Sequence, residues 1–188
     1  GVRFQGNLGS LYDKTRRIEK LAVSIAAELG WDESRALRSA HLCKADLVSH
    51  MVSEFPALQG TMGHHYARQD GEPREVSVAL EEHYLPRHAG DKLPTSRPGK
   101  ILALADRVDT LTGIFSTGEE PTGERDPYGL RRTALGMIRI LVEKKLALDL
   151  TYLVDLSVSV YVADGHTIGD DVRDQVIQFI TERYRAYY

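Results

Sequence analysis

Residues 101–115 read ILALADRVDTLTGIF, and this stretch decides the fold class. Ile101, Leu104, Ala105, Val108, Leu111 and Phe115 recur at three- and four-residue spacing, which is the period of an α-helix. The same spacing continues outward in both directions. Upstream, Leu11, Ile18, Leu21, Ala22, Ile25 and Leu29 predict a helix over 11–29, stopped at Gly30. Asp32 or Ser34 is placed to cap a second helix running to about Val52, with Pro56 as its breaker. A short helix from about 58 to 66 follows. Gln69-Asp70-Gly71-Glu72-Pro73 is a turn, and a fourth helix covers 74–84. Residues 86–99 and 116–127, with their prolines and glycines, read as loops. Downstream, Leu130, Ala134, Met137, Ile138 and Leu141 predict a helix over about 128–146, and Val172, Val176, Ile177 and Ile180 another from about Asp170. Residues 150–162 fit two periods. Val158, Val160 and Val162 alternate as in a strand, while the surrounding leucines suit a helix. A lone strand would have no partner, so helix is the reading favoured. The expectation is an all-α bundle of about seven or eight helices, with a main helical domain over 1–150. Residues 151–188 then form a helical extension or the start of a connector.

Composition narrows the function. The chain has 188 residues, 42% of them hydrophobic, enough for one domain with a real core. No apolar run is long enough to span a bilayer. Residues 1–10, GVRFQGNLGS, lack a basic start and an apolar stretch, so no secretory signal is expected. The first residue is not Met, which reads as a piece of something longer. Cys43 is the single cysteine, so neither an internal disulfide nor a CxxC zinc site is available, and a buried small hydrophobe in a cytoplasmic protein is expected. The net charge of -3 argues against a freestanding, avid nucleic-acid binder. A module held on RNA by a larger enzyme needs little affinity of its own.

The polar residues that matter are Lys14, Asp46, His50, His64, His65, Asp70, His83, Asp106 and Asp109. Residues 11–48, and ILALADRVD at 101–109, resemble the HD superfamily of metal-dependent phosphohydrolases. In that superfamily neutral imidazoles and carboxylates converge on a metal that generates hydroxide near neutral pH. By this resemblance Lys14 falls on the first histidine position and Ala45 on the histidine of the His-Asp pair, while Asp46 and Asp106 remain. A cation in a ligand position repels a divalent metal, so no metal is expected. Asp46 and Asp106 are then buried hydrogen-bonding or ion-pairing groups, with Lys14 or Lys44 as partner. A rebuilt site would draw on His50, which lies four residues from Asp46 and so on one helical face with it, and on His64 and His65.

Four longer motifs carry a closer resemblance. These are KADLVSHMVSEFPALQG at 44–60 with Met62-Gly63, EHYLPRHAGDKLP at 82–94, ILALADRVDTLTGIF at 101–115, and PTGERDPYGLRRTALGMIRI at 121–140. Together they resemble the β subunit of the bacterial α2β2 glycyl-tRNA synthetase, over about residues 4–150 and more loosely beyond. His50, His64 and His65 depart from that family's usual residues. The resemblance implies a noncatalytic, HD-like, tRNA-supporting domain with no cofactor of its own. ATP and Mg belong to the α subunit, and the partners are the tRNA for glycine, the α subunit and the rest of β. The piece alone is then inactive. An active metal-dependent phosphohydrolase and a structural inter-subunit spacer are the alternatives. For RNA contact, the segment 125–145 is richest in cations, and Arg131, Arg132 and Arg139 are the candidates there; Arg132 and Arg139, seven apart, share a helix face. Lys44 and Arg107 are further candidates beside the former metal position.

Overall fold

The computed structural model of the chain describes residues 8–188. Residues 1–7, part of the stretch read for a signal, lie outside the described residues. Among the described residues nine α-helices follow one another: α1 Leu11–Leu29, α2 Glu33–Leu42, α3 His50–Glu54, α4 Thr61–Gln69, α5 Arg74–Glu82, α6 Arg97–Ser116, α7 Leu130–Glu143, α8 Leu150–Ala163 and α9 Val172–Tyr187. Two 3-10 turns, Ala45–Val48 and Pro56–Leu58, sit between α2 and α4. No strand occurs among the described residues; Thr122 and Arg125 make one isolated bridge. The all-α expectation holds, and the ambiguous stretch 150–162 is the helix α8. Among the described residues no helix is long and apolar enough to cross a membrane.

The quoted stretch is the axis of the molecule. Helix α6 packs against α1, α2, α5, α7, α8 and α9. Ile101 through Ala105, Val108, Leu111 and Ile114 are all buried, on every side of the helix rather than on one stripe. Burying a side chain of this size contributes about 1.5–3 kcal/mol, so a helix wrapped on all sides anchors the bundle. Helix α1 lays Ile18, Leu21, Ala22 and Ile25 on it. Residues 151–188 are packed into the same core, to which Leu153, Val154, Val160, Val172, Val176 and Ile180 contribute.

The predicted long second helix does not form. It ends at Leu42, turns through Ala45–Val48, and restarts at α3 only after Ser49, whose extended backbone (ψ 151) lets its hydroxyl cap the Val52 amide. Two short segments replace one long one here, which is why the helix count exceeds the expected seven or eight. The helix expected at 58–66 begins later, at Thr61.

One close approach in α6 depends on a missing side chain. Tyr161 of α8 donates its hydroxyl to the Asp109 carbonyl at 2.9 Å and lies directly over Gly113. A Cβ at Gly113 would collide with that hydroxyl and with Leu8. Gly113→Ala is therefore expected to lower stability by about 1–3 kcal/mol despite alanine's better helix propensity. A denaturation midpoint equal to or above that of the parent would overturn this.

Candidate nucleic-acid interface

Of the positions matched to metal ligands, Lys14 and Asp106 join Lys44 and Asp109 in a closed cluster of charges. Lys14 of α1 donates from Nζ to Asp109 Oδ2 at 2.8 Å and Thr110 Oγ1 at 2.9 Å, and lies 3.3 Å from Asp106 Oδ1. Lys44 donates to the other Asp106 oxygen at 2.9 Å and to the Tyr84 hydroxyl at 3.3 Å, with His83 Nε2 at 3.1 Å. His83 Nδ1 is 2.7 Å from the Leu80 carbonyl, so it carries the proton and leaves Nε2 bare to accept from Lys44. Asp46 turns away from all of these. Its Oδ2 accepts the Gly60 and Gly63 amides at 2.7 and 3.0 Å, and so supplies the cap that α4 lacks locally. Gly60 meets the carboxylate with φ 83, a backbone angle that favours glycine.

This donor set does not fit a divalent cation. Asp106 already holds two ammonium groups, Asp46 faces backbone amides, and Lys14 and Ala45 offer no ligand. The set proposed for a rebuilt site also stays apart. The break after Leu42 puts Asp46 and His50 on separate elements, His50 and His65 are exposed, and His64 faces Glu81 at 3.3 Å without hydrogen-bond alignment. Among the described residues, no three His, Cys, Asp or Glu side chains are grouped to hold a metal.

The cluster sets its own titration. Burial alone would raise the Asp106 pKa, but Lys44 and Lys14 outweigh it and hold the carboxyl well below its usual range. Burial works against the charged Lys44 too, and Asp106 overcomes it and pushes the lysine up. Burial, reinforced by the Lys44 charge, pushes His83 down to about 3. Cys43, buried next to the cluster, is pushed up to about 12 by burial and is no nucleophile at neutral pH. An unfolded histidine titrates near pH 6.5. Between about 6.5 and 3 the unfolded chain therefore holds a proton that folded His83 refuses, so stability falls as pH drops through that window, by about 1.4 kcal/mol per pH unit. His83→Gln is expected to flatten the slope between about pH 6.5 and 4 while leaving the loss below about pH 4, where the unfolded chain takes up a proton that folded Asp106 refuses. Denaturation midpoints against pH read this out, and an unchanged slope would count against a neutral His83.

On the surface above the cluster lies a groove of about 590 Å³, lined by Arg87, Arg107, Arg132, Tyr84 and Tyr128 among others. Tyr84 connects the two sites: its hydroxyl accepts from Lys44 inside, and the Arg87 guanidinium stands 5.4 Å from its ring outside. Arg107 reaches from α6 to the carbonyls of His83, Ala103, Tyr84 and Pro86 at 3.0–3.3 Å, which pins the 83–86 segment. Burial lowers its pKa to about 10, leaving it charged at neutral pH. Arg87 and Arg132 are exposed. None of the three guanidinium groups is in an ion pair among the described residues. Cations without counter-charges beside aromatic rings suit a phosphate backbone.

The family model described as "Glycyl-tRNA synthetase beta subunit" matches residues 1–188. Proteins named glycine–tRNA ligase beta subunit are similar over the whole chain. The one from Ectopseudomonas mendocina (strain ymp) is 51% identical, and those from Glaesserella parasuis serovar 5 and Pasteurella multocida are each 52% identical, over 187 residues. The chain belongs to the glycyl-tRNA synthetase β-subunit family. It spans 27% of the length of these β-subunit relatives.

Within this β-subunit segment the expected RNA-facing residues have different fates. Arg132 is exposed in the groove. Arg131 is half-buried and donates to the Gly123 carbonyl at 2.5 Å, while its own amide is capped by Asp126. Arg139, expected to share an outward face with Arg132, is only 7% exposed and is paired with Glu143 at 2.8 Å. Seven residues bring a side chain back to nearly the same angle, but α9 packs over that end of α7. Lys44 is likewise 7% exposed, with its donors directed to Asp106, Tyr84 and His83. Arg107 contributes charge to the groove, while its amino hydrogens go to backbone carbonyls. Arg87, Tyr84 and Tyr128 were not among the expected residues. The available signal was EHYLPRH at 82–88, where an arginine and an aromatic flank a proline in a loop, as against PYGLRR at 127–132.

Proposed function

We propose that this chain is a noncatalytic, tRNA-supporting domain of a two-subunit glycyl-tRNA synthetase, holding the tRNA for glycine while another part of the enzyme attaches the amino acid. The observation that carries this reading is the groove of Arg87, Arg107 and Arg132 between Tyr84 and Tyr128, whose three guanidinium groups are in no ion pair among the described residues of a chain that is acidic overall. Membership of the β-subunit family supports glycine and its tRNA as the substrates of the whole enzyme. On this reading the remaining domains of β and the α subunit are its partners, ATP and Mg act at the α subunit, and the enzyme works in the cytoplasm. The closed cluster of Lys14, Lys44, Asp106 and Asp109, with Asp46 turned to the Gly60 and Gly63 amides, supports the absence of chemistry here, because each carboxylate already has its partners.

The test is the salt dependence of tRNA affinity in the whole enzyme. Arg87→Gln is expected to lessen the slope of log affinity against log salt by about one, the mark of one lost phosphate contact. An unchanged slope and affinity would favour a spacer role. A companion measurement addresses chemistry: protein purified without chelator is expected to carry no stoichiometric transition metal and to hydrolyse no generic phosphoester with added manganese. Metal at one equivalent with turnover would replace this reading by a hydrolase.

A further inference from the structure

A second groove, of about 370 Å³, runs between α7 and α9, and Arg132 lines both. Its walls combine apolar surface from Leu135, Ala186 and the ring of Tyr187 with the guanidinium groups of Arg131, Arg132 and Arg183. Arg183 makes no ion pair among the described residues, and its Nε is buried with no hydrogen-bond partner. An anionic group brought into this groove would meet the Arg183 guanidinium without a competing carboxylate. Tyr187 is 46% exposed, with its ring against that of Tyr188 at 4.8 Å and surface left to be covered.

We infer that this groove takes one unpaired nucleotide of a bound RNA strand, with its base on Leu135, Ala186 and Tyr187 and its phosphate between Arg132 and Arg183. The inference rests on the tRNA-binding reading and extends it. Three features select this occupant. The space fits a single nucleotide and excludes a duplex. The mixture of apolar floor and guanidinium rim matches a flat base carrying a phosphate, which is how unpaired RNA is recognised. The groove is continuous through Arg132 with the polar groove of Arg87 and Arg107, so a strand whose backbone lies on the first would pass its next nucleotides to the second. An acidic protein segment would satisfy the arginines equally but would have no need of that continuity.

The experiment uses the whole two-subunit enzyme with the tRNA for glycine. Ultraviolet crosslinking followed by mass spectrometry is expected to join Tyr187 to a nucleotide outside the tRNA helices. Arg183→Glu is expected to abolish that link and weaken tRNA binding by about tenfold, with one contact replaced by a repulsion, while α–β assembly is unchanged. Arg183→Lys, which keeps the charge, is expected to retain most of the affinity. If Arg87→Glu weakens binding but Tyr187 never crosslinks and Arg183→Glu has no effect, the nucleotide site is wrong and the tRNA reading stands. If neither variant matters, both fail. A Tyr187 link that survives Arg183→Glu, or that joins a paired nucleotide, also overturns the site. So does hydrogen-exchange protection of residues 183–188 that is already complete before tRNA is added, since protein would then cover the groove.

Discussion

Reversing Arg87 and Arg132 to glutamate together is expected to weaken tRNA binding by the whole enzyme about a hundredfold near physiological salt. Each arginine that neutralises a phosphate releases counterions, and at about 0.15 M salt the slope of about 0.9 per contact corresponds to roughly fivefold in affinity. Placing a carboxylate in the same spot, exposed and screened by salt, adds a smaller repulsion of about twofold, so each reversal costs about tenfold. The two sites are additive if they hold separate phosphates. The fold should tolerate the change. Both side chains are exposed, and among the described residues neither is in an ion pair and the one hydrogen bond from either guanidinium is Arg87 to the Gln59 carbonyl at 3.4 Å. Glycine attachment at subsaturating tRNA should fall with affinity and recover as tRNA is raised. A double variant that assembles normally and binds tRNA within twofold of the parent would remove this groove from the tRNA interface.

Arg107 gives the contrasting case. Its charge lies in the same groove, yet its amino groups hold four backbone carbonyls. Reversing it would break the 83–86 segment along with any RNA contact, so a loss of binding there would not separate the two causes. Arg87 and Arg132 are the informative positions for that reason.

The sequence made the fold legible wherever hydrophobic periodicity was long. The stretch 101–115 was read as a helix and is the buried axis, and 11–29 was read with its Gly30 stop in place. Legibility failed at 43–60, where helix-compatible residues continue but the chain breaks because Ser49 and Asp46 prefer to cap other helices. Local pattern cannot see a cap that serves an element 14 residues away. At the site, Asp106 and its lysine partners were anticipated from the opposite charges at the positions matched to HD metal ligands. The pairing of Arg17 with Asp109 was not, although Lys14 and Arg17 on one helix and Asp106 and Asp109 on another carry matching three-residue spacing. Arg87 and Arg183 escaped because a groove is formed by segments distant in sequence, and only the fold brings 87 to 132 and 132 to 183.

Removing the Asp109 carboxylate is expected to be the most damaging single change in the core. Asp109 is fully buried and receives Arg17 through Nε at 2.7 Å and Nη2 at 3.3 Å, and Lys14 at 2.8 Å. Arg17 is itself fully buried, 4.4 Å from the Tyr161 ring, with the Leu8 carbonyl as its other acceptor at 3.2 Å. In Asp109→Ala the guanidinium would stay in the interior without the carboxylate bonded to it, a change that costs about 3–5 kcal/mol. Set against a total stability of about 5–15 kcal/mol, that brings the domain close to unfolding. Lys14 suffers less, because Asp106 and Thr110 remain to it. The cost should therefore belong mainly to the Arg17 charge, and that can be isolated. Replacing both members, Arg17→Met with Asp109→Leu, is expected to be less destabilising than Asp109→Ala alone, since a well-packed apolar pair often substitutes for a buried ion pair. Denaturant unfolding of the singles and the double measures the coupling, expected to be at least about 2 kcal/mol. An Asp109→Ala loss below about 1 kcal/mol, or strictly additive effects, would mean that water or neighbouring groups already screen Arg17. Asp106, which holds both Lys14 and Lys44, would then matter more to the bundle than the acid three residues later.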